Sequence, residues 1–208
     1  MRTDVGNYLD SLYPNPKCEL IYHKDYELLI SIVLSAQSTD RRVNVVTPIL
    51  FSKYDTLEKL MNAPLSDLET ILRSIGSFRK KAYYVKEIAR LLVLKFDGKV
   101  PINRDLLMDF PGVGRKTINV FLSEFYQIPA FAVDTHVERV SKRLGLCSKR
   151  DNVDIIEKKL MKKFPKEEWG KRHLQMVLFG RYHCKSIKPN CSNCLFVSIC
   201  REKKKNLI

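Results

Sequence analysis

The sequence predicts an all-α protein, and three observations carry that prediction. No segment sustains the period-two alternation of a half-buried strand, while nearly every segment shows helical punctuation: a capping residue, an apolar stripe spaced by three and four, a glycine stop. The 208 residues, 45% of them hydrophobic, suffice to bury a core in one large domain or two small ones. No apolar run approaches the roughly 20 residues that span a bilayer, since even the run at 28–34 is interrupted by Ser31. A soluble chain with no membrane partner is the expectation.

In chain order, helices are expected near 26–36 and 41–51. The next is bounded by a capping box of Ser66 and Glu69, carries the stripe Leu68, Ile71, Leu72 and Ile75, and stops at Gly76. A longer helix follows at 80–96 with Gly98 as its stop, then helices near 103–109, 115–126, 135–144, 153–164 and 169–182. No internal repeat, low-complexity tract or flexible linker interrupts them. The candidate domain boundary falls near Ile128-Pro129.

Lys and Arg outnumber Asp and Glu by 37 to 23, and the resulting net charge of +14 makes a polyanion the first partner to consider. Charge alone does not choose DNA over RNA or acidic lipid. The start, Met1-Arg2-Thr3-Asp4, has neither the apolar core of a signal peptide nor the Arg-rich character of a transit peptide, so a cytoplasmic, prokaryotic setting is expected. Four of the six cysteines crowd into the last 25 residues, which reads as metal binding rather than a disulfide framework.

Three constellations carry chemistry. The first is Phe110-Pro111-Gly112-Val113-Gly114-Arg115-Lys116, set between two helices. Its glycines permit positive φ and let backbone approach a ligand, and the N–H groups opening the second helix favour an anion. Pro111, Gly112, Val113, Gly114 and Arg115 thus read as a phosphate-gripping hairpin, against the plainer reading of a tight turn whose glycines serve packing. Lys116, in the first turn and beside Arg115, is the candidate nucleophile, because positive potential there disfavours its ammonium form. Phosphate binding is the commoner role of such a lysine.

The second constellation, Val133-Asp134-Thr135-His136-Val137-Glu138, opens the next helix. Asp134 or Thr135 can cap that helix, Thr135 with Glu138 as a capping box, and a capping residue can also be catalytic. The third is Cys184, Cys191, Cys194 and Cys200, with six, two and five residues between successive cysteines. Four thiolates around one centre explain how so short a segment folds, and tetrahedral sulfur serves zinc or iron–sulfur alike. Cys18 and Cys147 stand outside this group as small core or surface residues.

These motifs resemble those of the endonuclease III superfamily of DNA glycosylases. The hairpin resembles the family's helix-hairpin-helix, Val-Asp-Thr-His its catalytic-aspartate motif, and the cysteine spacing its [4Fe-4S] cluster loop. Upstream, Leu34-Ser35-Ala36-Gln37-Ser38-Thr39-Asp40 resembles the segment that carries a DNA-inserting glutamine, Gln37 here. The resemblance implies a six-helix domain at 18–128 and an iron–sulfur domain made of 1–17 and 129–208, with a cleft between them. It also implies a base-excision repair enzyme acting as a monomer on double-stranded DNA with damaged, oxidised-pyrimidine bases or abasic sites, in the nucleoid.

In that mechanism Lys116 attacks C1′ of the flipped nucleotide, Asp134 assists, and β-elimination cleaves 3′ to the site. Cys184, Cys191, Cys194 and Cys200 hold the cluster, His183 is not counted among the ligands, and Lys185 and Lys188 face phosphates. His136 also matches a family position, although packing explains it equally well. One departure concerns the loop after Gly76, where relatives often place a bulky apolar wedge and this chain has Ser77 followed by Phe78. Phe78 either stacks in the duplex as that wedge or packs inward in register with Ala82 and Val85. Two alternatives are a monofunctional mismatch glycosylase of the same superfamily, which Lys116 and a chain ending soon after Cys200 argue against, and a noncatalytic iron–sulfur protein that binds nucleic acid.

Overall fold

The computed structural model describes residues 4–207, and Met1 to Thr3, used above to judge the start of the chain, lie outside them. Among the described residues there is no strand. The helices are α1 Val5–Leu12, α2 Asp25–Ser35, α3 Asp40–Lys53, α4 Leu57–Asn62, α5 Leu65–Leu72, α6 Phe78–Lys95, α7 Arg104–Met108, α8 Arg115–Phe125, α9 Thr135–Leu144, α10 Val153–Lys163 and α11 Trp169–Leu178. A 3-10 turn, Lys166–Glu168, precedes α11, and a π-helical turn, Phe179–His183, continues it. The chain divides into two compact units, Cys18–Tyr126 and the pair of segments Met1–Lys17 and Gln127–Ile208.

In the unit Cys18–Tyr126 the central element is α2. Its residues from Tyr26 to Leu34 are all buried, as expected of a helix that is hydrophobic on every side. Helices α3, α6 and α8 pack against it, and α4 and α5 pack against α6. Ala82, Val85, Ile88, Ala89 and Leu92, spaced by three and four, form the buried face of α6. That helix ends where the sequence placed its stop: Gly98 takes φ +74 and its N–H donates to the Leu92 carbonyl at 2.9 Å.

Two local expectations need correction. Helix α5 starts at Leu65 behind Pro64, whose φ of −59 already suits a helix, so Ser66 lies inside the first turn and there is no capping box. The second concerns Gly76, which does not turn left-handed to stop the helix. Ser77 does so instead, with φ +58, and a Cβ on Gly76 would make only ordinary contact with the Gln37 loop. Helix α4 was absent from the sequence reading because six residues with only Leu57 and Leu60 buried are too short to show a period.

In the other unit α1 returns against α11. The buried guanidinium of Arg172 donates to Asp10 at 2.9 Å, the Gly6 carbonyl at 3.0 Å and Glu168 at 2.8 Å. This pairing holds the Asp10 carboxyl well below the usual carboxylate range. Leu9, Phe131, Val137, Val140, Ile156, Met176, Phe179 and Phe196 make the core. Phe196, between two of the clustered cysteines, is fully buried and meets Tyr8 edge-on at 4.5 Å. One aromatic thereby pins the cysteine segment to the core. Among the described residues no helix is long and apolar enough to cross a membrane.

Candidate functional site

The hairpin between α7 and α8 is held from below. Phe110 is buried against Phe96, ring centres 5.4 Å apart, and Val113 is buried with its N–H on the Phe110 carbonyl at 3.1 Å. Its two glycines differ in cause. Gly112 has φ +77, and a Cβ there would lie 2.6 Å from the Tyr84 ring and 3.0 Å from Val33, so the fold itself demands glycine. Gly114 has extended backbone, φ −124, with nothing within 4 Å of a Cβ, so packing does not require glycine there. Gly114 supplies no side-chain cap to α8, and a helix start without such a cap is a place where an anion can bind. Lys116 is exposed in that first turn, while Pro111 is half-buried.

Asp134 sits at the start of α9. It is half-buried behind Phe131, Ala132 and Val133, which are buried. Its Oδ1 accepts the Val137 N–H at 2.7 Å, so Asp134 and not Thr135 is the cap, and Glu138 pairs instead with Lys142 at 2.6 Å. His136, also half-buried, is held by Arg139 at 3.1 Å from its Nδ1. Burial pushes the His136 imidazole below its ordinary pKa; Asp134 opposes this, while Arg139 and Arg181 reinforce it. A Cβ on Gly180 would meet the His136 Cβ at 2.8 Å, so this histidine is packed tightly.

Gln37 is exposed in the loop after α2 with φ +55, and Ser77, which opens α6, is exposed with φ +58. The structure brings these loops together. The Gly76 N–H donates to Ser38 Oγ at 3.3 Å, and a Cβ on Gly76 would lie 3.4 Å from the Gln37 carbonyl. Lys81 lies beneath, 5% exposed, donating to the carbonyls of Leu34 at 3.0 Å and Ala36 at 2.6 Å and to Ser38 Oγ at 3.3 Å. Phe78 is half-buried, unlike Ala82 and Val85, and the Arg79 guanidinium lies 5.2 Å from its ring centre. Inward packing in register with that pair is therefore incomplete.

Cys184, Cys191, Cys194 and Cys200 line one pocket, walled by Leu144, Phe179 and Phe196. Among the described residues no three His, Cys, Asp or Glu side chains converge on a position for a single metal ion. Two arginines of α9 hold the loop. Arg143 reaches Cys184 Sγ at 3.4 Å, the Lys185 carbonyl at 2.7 Å and Glu202 at 3.1 Å, and Arg139 donates to the carbonyls of Cys184 at 3.1 Å and Gly180 at 2.6 Å. Burial pushes the Cys184 and Cys194 thiols up, with Arg143 pulling Cys184 back. A centre that binds thiolates must therefore supply positive charge, as iron or zinc does. The donor set fits such a centre: four soft sulfurs line one pocket with apolar walls. Also lining this pocket is His183, whose buried Nε2 finds no hydrogen-bond partner among the described residues. Lys185 and Lys188 are exposed beside it. Cys147 is buried and Cys18 half-buried, both outside the group.

Sequence reasoning missed Lys81, Arg139 and Arg143. Each is a basic residue inside a helix, a pattern that reads as a solvated face, and each reaches at least one partner about forty or more residues away.

Residues 30–166 match the family of HhH-GPD superfamily base excision DNA repair proteins. Endonuclease III of Bacillus subtilis (strain 168) is 46% identical over 197 residues, covering 95% of this chain and 90% of the relative. The solved structure of a trapped endonuclease III–DNA covalent intermediate superposes with a TM-score of 0.91 at 50% identity, covering 94% of this chain and 92% of that one. A non-covalent endonuclease III–DNA complex superposes with the same TM-score and identity. The fold and hairpin thus define a helix-hairpin-helix protein of base-excision repair. Within that class the chain belongs to the endonuclease III family, and it is an enzyme, a DNA glycosylase with AP-lyase activity.

Proposed function

We propose that this enzyme removes oxidised pyrimidines from double-stranded DNA and cleaves the resulting abasic strand through an imine on Lys116. The observation that carries the reading is the start of α8. Gly114 is not required by packing, it leaves the helix start uncapped, and the exposed Lys116 stands in that same turn. Backbone N–H groups with Arg115 grip a phosphate there, independent of base sequence. That a half-identical relative was trapped as a covalent intermediate with DNA supports a nucleophile that bonds the sugar.

The damaged nucleotide must leave the stack, at a cost of a few kcal/mol in pairing and stacking that bound protein offsets. The neutral amine of Lys116 attacks C1′, and the base departs with the electron pair of its glycosidic bond and takes up a proton. The sugar ring opens to an imine, loss of a 2′ proton follows, and the 3′ phosphate leaves. Asp134 stabilises the positive sugar or moves one of these protons, its carboxylate direction fixed by the Val137 N–H. Gln37 fills the gap left by the flipped base, and Phe78 stacks beside it as the wedge.

Cys184, Cys191, Cys194 and Cys200 hold a [4Fe-4S] cluster in this reading. When bound, that group supplies four iron–thiolate bonds that fix the loop bearing Lys185 and Lys188 toward the phosphates. The support for this reading is the donor set itself, four cysteine sulfurs lining one pocket. The enzyme acts as a monomer, with the nucleoid of a prokaryotic cytoplasm as its place, in keeping with its bacterial relatives. Incubation with a duplex containing one thymine glycol tests the activity. Release of the base with a 3′ unsaturated-aldehyde end is expected, and base release leaving an intact strand would overturn the imine route.

A further inference from the structure

Lys81 is a buried ammonium that, among the described residues, meets no carboxylate; its Nζ bonds to the oxygens of Leu34, Ala36 and Ser38. Burying a cation is costly unless its donors are satisfied, and an apolar side chain of similar length would fill the space under α6 without that cost. The three acceptors show what the charge achieves. Leu34 and Ala36 belong to the C-terminal end of α2, where carbonyls lack helical partners and carry negative partial charge. Ser38 Oγ is shared, accepting from Lys81 and from the Gly76 N–H. One ammonium thus ties the end of α2, the loop of Gln37 and the turn of Gly76 and Ser77.

Both loops contain backbone that does not hold itself. Gln37 at φ +55 and Ser77 at φ +58 are non-glycine residues in the left-handed region. Each costs on the order of 1 kcal/mol and persists only where surrounding bonds over-determine it. The bonds of Lys81 lie immediately before and after Gln37, and Lys81 itself accepts the geometry of Ser77 through its N–H on the Ser77 carbonyl at 3.1 Å.

We propose that Lys81 is a positioning residue that locks the Gln37 loop onto the Gly76–Ser77 turn, so that the two meet the opened duplex as one preformed element. This rests on the reading that Gln37 fills the gap left by the flipped base. Without the lock, Gln37 must be ordered during binding, and the enzyme loses rate where the duplex has to be opened. An abasic site in a single strand needs no such opening.

The test is single-turnover kinetics of the full chain, as purified, on a duplex with one thymine glycol and on a single-stranded oligonucleotide with one abasic site. Lys81→Met is expected to slow the duplex reaction about tenfold, as Gln37→Ala should, and the double variant no further, because Gln37 would already be misplaced. Cleavage of the single strand should stay within about twofold. Ser38→Ala removes only the shared hydroxyl, and it should show the same pattern in milder form even if Lys81→Met fails to fold. Penalties that multiply in the double variant, or parallel losses on both substrates in Ser38→Ala, would overturn the proposal alone. A Gln37→Ala variant with undiminished duplex rate would overturn the reading beneath it, and the proposal with it.

Discussion

The starts of α8 and α9 are built in opposite ways. Gly114 gives α8 no capping side chain and leaves open space about its Cα, whereas Asp134 closes the start of α9 with its own carboxylate on the Val137 N–H at 2.7 Å. An uncapped start keeps its donors and the positive end of the helix for an outside anion. A capped start uses one donor internally and thereby fixes where the carboxylate lies. In the proposed function, the residue type at the cap position makes the first helix a receiver of phosphate and the second a holder of an acid.

Exchanging these roles separates them, and the largest effect should come from Asp134→Asn. Asparagine caps as well as aspartate, so urea unfolding should barely move, while single-turnover base release falls on the order of 10³-fold. Proportionate small losses in both would reduce Asp134 to a cap. The two glycines come next. Gly112→Ala forces a Cβ to 2.6 Å from Tyr84 at φ +77 and should destabilise by roughly 2–4 kcal/mol in the same urea assay. Gly114→Ala should cost under about 1 kcal/mol yet weaken DNA binding and lower its salt dependence. If both behaved alike, the hairpin would be a packing turn.

A smaller change is expected from Asp134→Ala, which removes the cap and should cost about 1 kcal/mol of stability that Asp134→Asn retains. The smallest concerns His136. Burial first, then Arg139 and Arg181, hold its folded pKa below the ordinary 6.5, against the pull of Asp134. The unfolded chain therefore takes up this proton first. Stability from the neutral imidazole is fully present above the unfolded value and is lost as pH falls from there through the folded one. His136→Gln should flatten the melting temperature against pH below about 6.5, and an unchanged profile would mean that His136 does not titrate this way.

Much of this was legible in the chain because the signals are local. Helices α6, α9 and α10 show long apolar periods with stops, and each chemical constellation is contiguous or nearly so. What escaped depends on folding. A glycine after an apolar stripe signals left-handed backbone, and at Gly76 the sequence suggests this while the next residue, Ser77, takes that conformation. Pro64 moved the start of α5 past a plausible capping box. Lys81 and Arg143 resemble solvated charges until α2 and the cysteine loop are brought against them.

The central claim is that the open start of α8 presents Lys116 as the nucleophile. The direct measurement is borohydride trapping on a duplex with a single abasic site, comparing the parent chain with Lys116→Gln at matched DNA binding. The parent should give a covalent protein–DNA adduct that maps to Lys116, and Lys116→Gln should give none while binding the duplex nearly as well. An undiminished adduct in Lys116→Gln would contradict the account.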